Sequence, residues 1–284
     1  MIYLDNAATS FPKPQPVIDA VVDCLKTKGA NPGRGAHQAA LAASRLIFET
    51  RETLAELFNI DDSSNIIFTL NATDSLNLGI KGLLRDGDHV VTTSMEHNSV
   101  SRPLNALARR GVLVTSVKCD ESGHIDLSGI EKAINAKTKL IIITHASNVT
   151  GTLMPLADVV EIAHKNKAIF MVDAAQTAGA FPLDVQELGI DLMACSGHKS
   201  LMGPQGTGVL YVSPRIDLEE IKQGGTGGNS EEPLQPQTRP DRYECGTPNT
   251  PGIAGLGAAV RFIQETGIEK IREKEDPENY KQDE

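Results

Sequence analysis

Five short segments of this 284-residue chain carry reactive side chains directly after apolar runs. They read Asn71-Ala72-Thr73, Glu96-His97-Asn98, Ser147-Asn148, Asp173-Ala174-Ala175-Gln176 and Ser196-Gly197-His198-Lys199. A lysine that closes a buried strand is unfavourable unless it is paired or covalently engaged, so Lys199 needs a chemical reason to be there. A buried amine is neutral part of the time, which makes Lys199 a candidate to form a Schiff base with an aldehyde. Asp173 is the candidate to keep a ring nitrogen protonated, turning a heteroaromatic ring into an electron sink. Gln176 and Asn148 suit a ring hydroxyl, and His97 suits stacking on the ring face. Ala72 and Thr73 open a helix whose unbonded N–H groups and macrodipole attract phosphate, with Ser196 and His198 completing that cup. The set meets the needs of an aldehyde cofactor with a phosphate handle. Taken singly, each residue also serves as an ordinary cap, turn, core or surface residue. Their order and their shared position at strand ends argue for chemistry.

These groups need a scaffold that gathers strand ends. Apolar runs at 65–68, 89–94, 112–117, 140–144, 168–173, 192–196 and 208–213 alternate with helical periodicity at 74–84, 102–110, 127–135 and 155–165. That alternation predicts an α/β fold with a mainly parallel seven-stranded sheet sandwiched by helices. In such sheets ligands collect beyond the carboxyl ends of the strands, where all five segments lie. A helix over 14–28, the loop "GANPGRGAH" and a helix over 39–58 precede the first strand. After residue 213 a Gly/Pro-rich stretch leads through "YECGTPNTPG" to an apolar helix at about 251–266. The charged end, 268–284 with Pro277, reads as a helix end that frays.

Composition removes several function classes. A net charge of −10 without a basic cluster disfavours a nucleic-acid partner. No apolar run approaches a membrane span, and Asp5 interrupts any signal-like start. Cys24, Cys119, Cys195 and Cys245 lack zinc or C-x-x-C spacing and read as reduced thiols of a cytoplasmic protein. "GPQGTG" follows its lysine instead of preceding it, and "GGTGGN" opens no helix after a strand, which leaves nucleotide binding the weaker alternative.

In order along the chain, "YLDNAATS", "NATDSLN", "EHNS", "SNVTG", "DAAQ", "SGHK" and "YECGTPNT" resemble the blocks of the class V, fold-type I pyridoxal-phosphate enzymes. The branch they resemble is that of the cysteine desulfurases and selenocysteine lyases, over about residues 2–260. The resemblance implies pyridoxal 5′-phosphate on Lys199, with Asp173, Gln176, His97, Asn148, Ala72, Thr73, Ser196 and His198 in the roles above. It implies that Lys199, His97 and Asp173 are catalytic. It also implies that Thr247 reaches the phosphate bound in the other subunit of a homodimer, and that Asn31, Arg34 and His37 lie at the substrate entrance with the segment 1–38.

The implied reaction converts L-cysteine, or its analogue L-selenocysteine, to alanine. The sulfur passes as a persulfide to an enzyme thiolate and on to a sulfur-acceptor protein. The family places that nucleophile, and an arginine for the substrate carboxylate, in a C-terminal segment beyond the matched region. No catalytic cysteine is therefore named among the four. The expected organisation is a cofactor-binding large domain over 1–250 and the start of an incomplete C-terminal domain over 251–284, its helix leaving apolar surface exposed. Two other readings stay open. One is a different class V activity, an aminotransferase, epimerase or lyase, and the other is a non-catalytic truncated relative.

Overall fold

Period-two alternation with apolar residues on both sides builds a sheet buried on both faces. The computed structural model describes residues 2–33, 35, 37–228 and 231–275. Its strands are β1 (Ile66–Thr69), β2 (His89–Thr93), β3 (Leu113–Val117), β4 (Thr138–Thr144), β5 (Ile169–Asp173), β6 (Leu192–Ser196) and β7 (Gly208–Val212). They form one seven-stranded sheet in the order β1-β7-β6-β5-β4-β2-β3. On β4, Ile141 and Ile143 enter one hydrophobic core while Leu140 and Ile142 enter the other.

The helices are α1 (Gln15–Thr27), α2 (Gln38–Phe58), α3 (Ala72–Leu83), α4 (Asn98–Ala108), α5 (Leu127–Ala133), α6 (Leu156–Lys165), α7 (Thr250–Thr266) and α8 (Ile268–Glu275). Leu76, Ile80 and Leu83 of α3 and Leu104 of α4 fill one core. Leu54 and Phe58 of α2, Val159 of α6 and Val260 of α7 fill the other.

The expected seven strands are present, and β7 runs antiparallel to both β1 and β6. The reason is local: the connection 197–207 is shorter than the about a dozen residues that a parallel crossover needs. The lysine segment is therefore a wide hairpin loop between two central strands. Asp173 ends β5 beside Ala194 of β6 and Thr144 of β4, which brings three of the polar segments to one sheet edge.

One expectation fails at the C-terminal end. The helix expected to expose apolar surface is buried, with Leu256, Ala259, Val260 and Ile263 fully covered. Small residues permit this. An added Cβ on Gly257 would sit 2.4 Å from Thr50 of α2, and one on Gly255 2.8 Å from Val21 of α1, so α7 lies close against both helices. Exposed apolar side chains occur instead on α1 and α2, at Leu25, Leu41 and Phe48, and in loops such as those of Val149 and Leu234. The first part of the charged end, expected as a helix end that frays, forms α8 after Gly267, whose Ile271 is buried and whose Arg272 guanidinium lies 4.5 Å from the Phe181 ring centroid. Residues 276–284 lie outside the described residues.

A buried ion pair ties the "YECGTP" segment to the sheet. Arg51 of α2 meets Glu244 at 2.8 Å and also donates to the carbonyl of Ile66, while Glu244 accepts the Phe68 N–H at 2.6 Å.

Candidate active site

Gly197 sets the path of the lysine loop. A Cβ added there would lie 2.0 Å from Thr207 Oγ1, a separation no side chain tolerates. The bare backbone lets the Gly197 N–H reach the Thr207 carbonyl at 3.0 Å, and its own carbonyl accepts the Gly203 N–H at 2.7 Å. Met202 closes the turn with a left-handed backbone, φ 59°. Gly197→Ala is expected to lower stability by about 1–3 kcal/mol by overpacking, read by urea denaturation.

Beyond the strand ends lies a cavity of about 210 Å³. Nine of the ten cofactor residues expected from the sequence line it: Ala72 and Thr73 at the start of α3, His97 before α4, Asn148 after β4, Asp173 and Gln176 after β5, and Ser196, His198 and Lys199 after β6. Thr247 does not. It lies at a second cavity of about 240 Å³ with Cys245, and its hydroxyl receives the Asn31 side-chain amide at 3.4 Å. Neither Asn31 nor His37 lines the first cavity. His37 caps α2 by accepting the Ala40 N–H at 3.2 Å, and the Asn31 loop rests on the glycine loop, Gly33 against Gly227. Arg34 lies outside the described residues.

Electrostatics sort the cavity into roles. Asp173 is buried, and desolvation raises its pKa against the Ala175 N–H at 3.0 Å and the charges of His97 and Lys199. A buried carboxyl of this kind is poised to ionise against a cationic ring nitrogen. The Lys199 ammonium is half-buried, and burial lowers its pKa while Asp173 partly restores it. His198 is lowered by burial, then by Lys199 and Lys13.

At the opposite end, Asn71 caps α3 by accepting the Asp74 N–H at 2.9 Å. The N–H groups of Ala72 and Thr73, first in the helix, have no helical carbonyl to bond and open into the cavity. An added Cβ on Gly208 would lie 2.5 Å from the Asn71 carbonyl carbon, so β7 passes hard against this cap.

Ser99 and Glu96 were missed in the sequence. Ser99 lines the cavity and bonds both Thr73 Oγ1 at 2.7 Å and His97 Nδ1 at 2.8 Å, linking the phosphate end to the ring-facing histidine. Its signal was its place in the capping turn of α4. Glu96 lies beside the cavity; its Oε1 accepts the Thr93 hydroxyl at 2.7 Å and the Thr144 N–H at 3.1 Å. Its Oε2 is buried with no hydrogen-bond partner, and burial lifts the carboxyl to about 8.

The aminotransferase class-V family model matches residues 2–281. The chain belongs to the class-V aminotransferase family, in its cysteine desulfurase branch. A probable cysteine desulfurase of Methanothermobacter thermautotrophicus is 40% identical over 276 residues, covering 95% of this chain and 68% of the relative. The apo cysteine desulfurase from Thermococcus onnurineus NA1 superimposes with a TM-score of 0.85 at 36% identity, over 96% of this chain and 70% of that one. SspA in complex with cysteine matches with a TM-score of 0.82 at 32% identity, over 92% and 72% of the two chains. Among the described residues no helix is long and apolar enough to cross a membrane.

Proposed function

We propose that this class-V chain is a desulfurase-type enzyme that uses pyridoxal 5′-phosphate to take sulfur from L-cysteine. One observation carries the reading: a half-buried lysine, a buried carboxyl and an unfilled helix N-terminus face one cavity at the sheet edge. The donor set fits the cofactor at each end. Ala72, Thr73, Ser196 and His198 would hold the phosphate, Asp173 the ring nitrogen, Asn148 and Gln176 the ring oxygen, and His97 the ring face. When bound, pyridoxal phosphate supplies an aldehyde for amines and a ring that accepts the electrons left by a departing Cα proton.

The chain supplies the rest. Burial keeps part of the Lys199 amine neutral, so it serves both as the attachment point and as the carrier of the Cα proton. Asp173 holds a proton on the ring nitrogen throughout. The substrate's sulfur is attacked by a thiolate, an S–S bond forming as the C–S bond breaks and its carbon becomes that of alanine; this thiolate is neither Cys24 nor Cys195. Both are fully buried, and burial raises both thiols.

Thr247, outside the cavity in its own chain, suits the partner's phosphate in a homodimer. L-Selenocysteine is the natural second substrate and a sulfur-acceptor protein the natural partner. The four unpaired cysteines suit a cytoplasmic setting.

The experiment mixes purified protein with pyridoxal phosphate, records the visible band, reduces with borohydride and locates the pyridoxyl mark by peptide mass spectrometry. The mark is expected on the peptide containing Lys199, and L-cysteine with a dithiol reductant is expected to yield alanine and sulfide, the reductant releasing the transferred sulfur as sulfide. A colourless protein with no mark at Lys199 rejects the cofactor reading.

A further inference from the structure

A single carbonyl oxygen, that of His198, collects four donors from the N-terminal segment. They are the Ser10 N–H at 3.1 Å, Thr9 Oγ1 at 3.1 Å, Ser10 Oγ at 3.2 Å and Lys13 Nζ at 2.8 Å. A carbonyl oxygen has two lone pairs, so this is far more than one peptide group needs. The oxygen belongs to the peptide unit joining His198 to Lys199. The same segment also grips the neighbours: His198 Nδ1 lies 3.0 Å from Thr9 Oγ1, and the Ala7 carbonyl accepts from Gln176 Nε2 at 3.1 Å.

Lys13 stands out among the donors. Its ammonium is half-buried, is held by the His198 carbonyl and by Ser10 Oγ at 2.8 Å, and burial lowers it to about 8. No carboxylate among the described residues pairs with it; the titratable group it acts on is His198 of the lysine loop, next to Lys199 in the chain. A cation taken partly out of water without a counter-charge is held by what it does to its partner.

We propose that Lys13 is a positioning residue for Lys199: its ammonium, seated on the His198 carbonyl oxygen, fixes the peptide unit from which the reactive lysine projects. The proposal rests on the reading of Lys199 as the cofactor lysine. Lys13 is the one charged donor among the four, and a charged donor makes the strongest single bond of the set. Its charge also disfavours protonation of His198.

The test compares Lys13→Met with Lys13→Arg, first without cofactor. Hydrogen exchange of the peptide 196–202 at neutral pH is expected to quicken about tenfold in Lys13→Met, with the other strands unchanged, and to return near the parent rate in Lys13→Arg. With pyridoxal phosphate added, the pH midpoint of the visible band is expected to shift in Lys13→Met, where the lysine is no longer held in place, and to stay put in Lys13→Arg. Unchanged exchange over 196–202, or exchange that quickens equally across the sheet, overturns the proposal. A parent protein that gives no visible band rejects the cofactor reading instead, and the exchange result alone then decides whether Lys13 holds the loop.

Discussion

Asp173→Asn is expected to retain pyridoxal phosphate while losing about 10³-fold in turnover of L-cysteine, the size of effect seen when one preorganised charge or proton partner is removed. The substitution keeps the shape. Asparagine Oδ1 can still accept the Ala175 N–H that Asp173 accepts at 3.0 Å, and the site stays buried at the end of β5. What changes is the group that would face the ring nitrogen: a carboxylate oxygen that accepts a hydrogen bond from a protonated nitrogen becomes an amide N–H that donates one to an unprotonated nitrogen. A ring nitrogen opposite a donor gives up its proton, and with it the capacity to take up the electrons left at Cα.

A second readout follows from the same charge. Asp173 raises the Lys199 amine, so its loss is expected to move the pH midpoint of the bound chromophore downward. Titrating the visible band in parent and variant checks this without measuring turnover. Normal turnover in Asp173→Asn, with the band unshifted, contradicts the assigned role.

The polar segments after the apolar runs were readable because one rule, that parallel strands deliver their ends to one edge, converts sequence order into proximity. Asp173, His97 and Lys199 meet for that reason. The same rule says nothing of loops that leave the edge. Thr247 and Asn31 pack on each other across the glycine loop, away from the cavity, because their neighbours are set by the Arg51–Glu244 pair and by the contact of Gly33 with Gly227. The direction of β7 was legible in principle from the short connection 197–207, although its apolar pattern is the same in either direction.

The helix α7 illustrates the opposite case. Its apolar length was plain, but its cover depended on helices more than 190 residues earlier, and the glycines that admit them carry no hydrophobic signal. Lys13 and Ser99 escaped notice for a related reason. Each acts through a backbone or hydroxyl oxygen that only the folded chain brings near. Glu96 is the sharpest instance: its segment stood out, but no sequence pattern points to a role for the glutamate until β4 closes over it.

That burial makes Glu96→Gln the second large effect, in stability instead of turnover. The parent carboxyl titrates at about 8 when folded because burial disfavours its charge, with Asp173 adding to the rise and the Thr93 hydroxyl and Thr144 N–H opposing it. Unfolded, it titrates near the ordinary value of 4.5. The folded state therefore holds the proton more tightly. Its contribution to stability is fully present below about 4.5 and is lost as pH rises to about 8. Each pH unit in that window is worth about 1.4 kcal/mol, so the whole window amounts to about 5 kcal/mol.

Glutamine keeps the Oε1 acceptor for Thr93 and Thr144 and places a neutral amide where Oε2 has no partner. The variant should match the parent near pH 4 and exceed it by about 3–5 kcal/mol at pH 9, with the difference growing steadily between. Urea denaturation of both proteins across this range reads the effect directly, and Glu96→Gln would then turn over L-cysteine at close to the parent rate, since the parent side chain is already neutral at pH 7. A stability difference that is flat in pH would mean that Glu96 is charged in the folded protein, with a cation or water paired to Oε2 beneath His97.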